Sequence, residues 1–127
     1  MARRNLHSGS PGLRIIMHEN RGSGGDPMAI RRQAREPMPN RDELAKEWGA
    51  QGYSCGLWVD PPGQQWVDFL HDTDEMVLVA QGRLRLEIED ESTELGPGDE
   101  VMIPARANHS VFNIGGTEAR WYYGYRR

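Results

Sequence analysis

The sequence predicts an all-β domain, a barrel or sandwich, preceded by one short helix. Three observations carry this reading. Short apolar stretches between residues 53 and 125 are cut by turn signals at Pro61-Pro62-Gly63, Gln81-Gly82, Gly96-Pro97-Gly98-Asp99 and Gly115-Gly116. Residues 83–89 alternate strictly between charged and apolar side chains, the period of a strand with one buried face. One helix stands out by its start signal, and it lies upstream of all these stretches.

In chain order, residues 1–27 come first. They hold five glycines and few large apolar residues, so they read as a flexible tail that is not necessarily native to the domain. Residues 28–127 form the single domain. Within it, Asn40 is a good N-cap, and Glu43 three residues later completes capping-box spacing. Leu44, Ala45 and Trp48 fall on one face of a helix of about two turns, and Gly49 and Gly52 end it. Strands are then expected at 53–60, 65–70, 75–80, 83–89, 101–103, 110–114 and 120–125. Frequent short strands of this kind point to a sandwich or barrel.

Charge and composition exclude several roles. The net charge is −4, unevenly spread: residues 1–36 carry seven Arg against three acids, and the rest of the chain is strongly acidic. Phosphate binding needs clustered Lys and Arg, so no nucleic-acid partner is expected for the folded part. No apolar run approaches the ~20 residues of a membrane span, and no apolar signal-peptide core is evident. Cys55 is the sole cysteine, which excludes an intrachain disulfide. It sits in an apolar stretch and is expected in the core. The expected location is cytoplasmic.

Histidine is scarce, and this focuses the search for chemistry. His7 and His18 lie in the tail, whereas His71 and His109 lie among the strands, and Glu75 follows His71 by four. On a straight strand four residues span roughly 13 Å. Two ligands of one metal must each come within about 2 Å of it. His71 and Glu75 can therefore meet only if the chain bends between them. Asp72-Thr73-Asp74 are short polar residues suited to such a bend. His71 then ends one strand and Glu75 begins the next.

These residues stand in two patterns that resemble the motifs of the cupin superfamily, over about residues 56–125. The first motif runs Gly, five residues, His-x-His, three or four residues, Glu, six residues, Gly. His71 matches its second histidine, and Glu75 and Gly82 have the right separation. The second runs Gly, five residues, Pro-x-Gly, two residues, His, three residues, Asn. Gly98, Pro104, His109 and Asn113 fall in register with it. Two positions depart. Phe69 stands where the family has its first histidine, and Arg106 stands where it usually has glycine.

The resemblance implies a cupin barrel, the double-stranded β-helix or jelly-roll. It also implies one divalent transition metal (Fe, Mn, Ni or Zn) held by His71, Glu75 and His109. Without the first histidine the set is two imidazoles and a carboxylate, a facial arrangement that leaves positions open. Phe69, Trp66, Arg106 and Tyr123 are the expected pocket residues, with Trp121 as a further aromatic candidate. Arg106 carries two readings: an arginine reaching an anionic ligand at the barrel mouth, or an exposed loop residue. The resemblance further implies a small-molecule ligand, a homodimer, and chemistry of oxygenase, isomerase or decarboxylase type. A ligand-binding or sensing barrel without catalysis is the alternative. For the dimer, residues 28–37 are expected to add a strand to a partner's sheet edge.

Overall fold

The alternation at residues 83–89 becomes a strand that buries Leu84, Leu86 and Ile88 and turns Arg85 and Glu87 outward. The same logic organises the whole computed structural model, which describes residues 32–127. The expected tail over residues 1–27, with His7 and His18, lies outside the described residues. The elements are β1 (Arg32–Ala34), α1 (Arg41–Ala50), β2 (Gly56–Asp60), β3 (Gln65–Phe69), β4 (Glu75–Gln81), β5 (Leu84–Ile88), β6 (Glu91–Leu95), β7 (Asp99–Ile103), β8 (His109–Asn113) and β9 (Ala119–Tyr125). One sheet has the order β1-β7-β4-β9-β2 and the other β3-β8-β5-β6. Every pairing is antiparallel.

The sheets face one another over an apolar core. Val77, Val79, Val101, Ile103 and Trp121 from the first sheet meet Leu84, Leu86, Ile88, Leu95 and Val111 from the second. Antiparallel strands with one wet face alternate in this way. β4 is different: Val77, Leu78 and Val79 are all buried. The reason is α1, which covers the outer face of the first sheet: its Leu44 and Trp48, with Tyr53 after it, cluster with Leu78. A strand buried on both faces needs a continuous apolar run, and 76–80 supplies one.

α1 begins as its residues dictate. The Glu43 N–H donates to Asn40 Oδ1 at 2.8 Å, and the Asn40 N–H donates to Glu43 Oε1 at 3.1 Å. The helix runs ten residues, longer than the two turns expected, and passes through Gly49 before capping at Gln51. Only Leu44 and Trp48 are buried on it, and Ala45, expected on that face, is exposed. Trp48 Nε1 donates to the buried Glu100 of β7 at 2.9 Å, and Arg35 bridges Glu100 and Glu47. Cys55 is only partly buried beside this cluster, less than expected, and burial pushes its thiol up.

Two features depart from the sequence reading. β6 was not expected, because Glu91-Ser92-Thr93-Glu94 offers no apolar alternation. It is an edge strand whose Leu95 alone is fully buried. β1, not among the expected strands, pairs with β7 of its own chain, and the Arg35 N–H extends that contact to Gly98 O at 2.7 Å. Gly98, at φ 93°, leaves 2.9 Å between the site of a Cβ and Arg35 O, so a side chain there would displace this segment.

The cap makes a direct prediction. Asn40→Ala should lower stability by about 1 kcal/mol through loss of the reciprocal cap. Urea unfolding should show a lower midpoint at unchanged slope.

Candidate metal centre and aromatic cavity

The three residues singled out by spacing converge. β3 ends at Phe69, and a bend carries the chain from His71 to Glu75, the first residue of β4. His109 is the first residue of β8. The loop after β7 fastens the bend: the Ala105 N–H donates to Asp74 Oδ1 at 2.8 Å, and the Arg106 N–H donates to His71 O at 2.7 Å. Glu75 Oε1 lies 3.5 Å from His71 Nε2 and 3.5 Å from His109 Nε2. One donor atom from each residue lies within 4.8 Å of the others.

Protonation follows from the partners. His109 Nδ1 sits 3.0 Å from Ala107 O, a carbonyl that can only accept. Nδ1 therefore carries the proton, and in the neutral ring Nε2 turns a lone pair toward Glu75. Burial lowers the His71 pKa, against a smaller opposing effect of Glu75, and so favours its neutral form. Glu75 Oε1 is buried and has no hydrogen-bond partner. A carboxylate oxygen buried in this way costs several kcal/mol unless a cation or proton meets it. Two imidazoles and a carboxylate match the donor set of a divalent transition metal. These residues fit such an ion.

Above the three residues lies a cavity of about 350 Å³, within the range of small-molecule sites. Its walls are aromatic. β9 contributes Trp121, Tyr123 and Tyr125, whose successive ring centroids lie 6.2 and 5.9 Å apart. Trp58 of β2 packs edge-on against Trp66 at 5.6 Å. Trp66 and Phe69 both line the cavity, although strict alternation would put them on opposite faces. A bulge resolves this. The β3–β8 register shifts between Trp66 and Phe69, and Asp68 takes φ 57° with its N–H on Ser110 Oγ at 2.9 Å. The Phe69 ring then lies 6.3 Å from that of His71 and 6.4 Å from that of His109.

Of the pocket residues expected from sequence, Trp66, Phe69 and Tyr123 line the cavity, as does Trp121. Arg106 does not: it is exposed, and its link to the site is its backbone N–H on His71 O. Its φ of 65° swings the side chain out on a turn where glycine is favoured. Tyr125 was not singled out, although it shares the period-two face of Trp121 and Tyr123. Its hydroxyl lies 3.5 Å from His71 Nε2, and burial, reinforced by Glu75, pushes its pKa up to about 12. Tyr125 is therefore a protonated hydroxyl near neutral pH.

The cupin domain family matches residues 56–125, more than half of the chain, and that stretch contains all three convergent residues. The chain belongs to the cupin family. A relative from Streptomyces cyaneus, polyketide synthase CurC, is 32% identical over 76 residues. The match covers 59% of this chain, which spans about half (49%) of that relative's length. Solved cupins share the fold. A cupin 2 conserved barrel protein from Salinispora arenicola superposes with a TM-score of 0.54 at 20% identity, covering 77% of this chain and 76% of the other. A structure of oxalate oxidase gives 0.55 at 25% identity, covering 60% of this chain and 42% of that one. No helix among the described residues is long and apolar enough to cross a membrane.

The left-handed arginine carries a prediction. Arg106→Gly should raise stability by about 1 kcal/mol, because glycine adopts φ 65° without the Cβ penalty and keeps its N–H for His71 O. Thermal unfolding of the two proteins checks this. A lower midpoint would mean that the arginine side chain contributes more than the strain costs.

Proposed function

We propose that this cupin is a metal-dependent enzyme acting on a planar, oxygen-bearing small molecule of polyketide type. The observation that carries the proposal is the buried, unpartnered Glu75 Oε1 between two imidazole nitrogens, at the floor of an aromatic-walled cavity. His71, Glu75 and His109 would hold the metal. A bound divalent transition metal supplies Lewis-acid or redox chemistry toward a ligand oxygen.

The chain's own residues supply the rest. Phe69, in place of a fourth ligand, narrows the site and leaves coordination positions for the ligand. Trp66, Trp121 and Tyr123 offer faces and edges to a flat ring system. The Tyr125 hydroxyl stays protonated and donates to an oxygen of the ligand, so charge developing there meets a fixed donor. The likeness to a polyketide synthase protein supports the substrate class, and the apolar wall beside a polar floor supports it independently.

Elemental mass spectrometry on protein purified without chelators tests the metal. Near-stoichiometric transition metal is expected in the wild type and little in His71→Ala, His109→Ala or Glu75→Gln. The metal-free Glu75→Gln protein should unfold no earlier than metal-free wild type, because an amide N–H can meet an imidazole lone pair where a carboxylate cannot. If the wild type takes up no metal after aerobic and anaerobic reconstitution, the enzyme reading falls and a ligand-binding barrel replaces it.

A further inference from the structure

Asp60 ends β2 and is 1% exposed. It neither lines the cavity nor belongs to the three residues that converge at the candidate metal site. Its side-chain oxygens meet two indoles. Trp66 Nε1 donates to Oδ1 and Oδ2, at 3.2 Å each, and Trp121 Nε1 donates to Oδ2 at 3.0 Å. The two indoles come from opposite sheets, Trp66 from β3 and Trp121 from β9. The Asp60 backbone is fixed as well, since Asn113 Nδ2 donates to Asp60 O at 3.3 Å, to Pro61 O at 2.9 Å and to Thr117 O at 2.9 Å.

We infer that Asp60 is the positioning residue of the cavity wall, turning the N–H groups of Trp66 and Trp121 away from the ligand. Both rings line the cavity, yet both spend their only polar group on Asp60. They therefore present carbon and π surface alone. A buried acid is a poor choice for stability by itself, since a packed apolar side chain avoids its desolvation. What the acid adds is the orientation of two large rings. These two faces offer no donor to the oxygen atoms of a ligand. Those oxygens are directed past Phe69, whose ring neighbours both Trp66 and the imidazoles, to Glu75, the two imidazoles and the Tyr125 hydroxyl. Asp60 thus sets which end of a bipolar flat ligand enters first. This inference rests on the cavity being the ligand site proposed above.

The test uses the full chain labelled with nitrogen-15. The indole N–H signals of Trp66 and Trp121 are assigned with Trp66→Phe and Trp121→Phe. In the wild type both should exchange slowly with deuterium. In Asp60→Asn both should shift, while the Trp48 signal, tied to Glu100 in the other cluster, should not. Binding is read with 2-naphthol by tryptophan quenching. Asp60→Asn should weaken it about tenfold, the scale of one misplaced hydrogen-bonding group. The same substitution should cost nothing further in a Trp66→Phe/Trp121→Phe background.

Rapid exchange of both indole protons in the wild type would overturn the inference, and that measurement holds even if Asp60→Asn fails to fold. An undiminished loss of affinity in the double-phenylalanine background would overturn it too, as would unchanged affinity in Asp60→Asn. If the wild type protects both protons, and they shift in Asp60→Asn, but it binds no 2-naphthol, the aromatic-ligand reading falls. The placing of the two rings by Asp60 then stands.

Discussion

Glu75 Oε1 lies in the interior between two imidazole nitrogens, one of which already has its proton committed elsewhere. A folded chain tolerates such an atom only where the surrounding structure over-determines its place. Here three separate elements do so. β4 holds Glu75 at its first residue, paired on both sides, with Ile103 of β7 and Tyr125 of β9. The bend before it is clamped by the N–H groups of Ala105 and Arg106. His109 is held in place by its neighbour's carbonyl. The backbone of Glu75 is thus fixed from both sides, and its side chain faces the cavity beside the two imidazoles.

The rest of the architecture serves this arrangement. Closing two sheets over a core brings the ends of β3, β4 and β8 to one place, although their residues are far apart in sequence. The strained positions cluster there as well. Asp68 and Arg106, both at positive φ, flank the bend that carries His71 and Glu75. Each costs about 1 kcal/mol against glycine. Strain held at such positions is common where a site needs side chains that regular strands do not deliver. At Asp68 the return is visible, since the bulge puts Trp66 and Phe69 on one wall.

Much of this was legible in the chain, for identifiable reasons. His71, Glu75 and His109 could be brought together because Asp72-Thr73-Asp74 announces a bend and the two motifs fix the spacing. The helix was legible from Asn40 and Glu43, whose capping partners are local. What escaped was non-local. Alternation places Trp66 opposite Phe69, and the bulge that unites them is held by the Ser110 hydroxyl, 42 residues from Asp68. β6 escaped because an edge strand with one wet face needs little apolar patterning. Arg106 was legible as a departure from the family's usual glycine, but the direction of its side chain depends on the fold of the loop. Tyr125 was legible in principle, as the third rung of a period-two aromatic face.

Asp60 illustrates the limit most clearly. In sequence it is a polar residue ahead of Pro61-Pro62-Gly63, an ordinary turn flank. Folding buries it and surrounds it with indole donors from two sheets. The two buried acids then divide the labour of the interior by their partners. Asp60 has its donors and orders the apolar wall, whereas Glu75 Oε1 lacks a donor and marks the polar floor. The polarity of the cavity follows from this difference. A satisfied carboxylate withdraws polar groups from the space, and an unsatisfied one calls for a cation or a proton within it. A ligand that suits both must be apolar and flat at one end and rich in oxygen at the other.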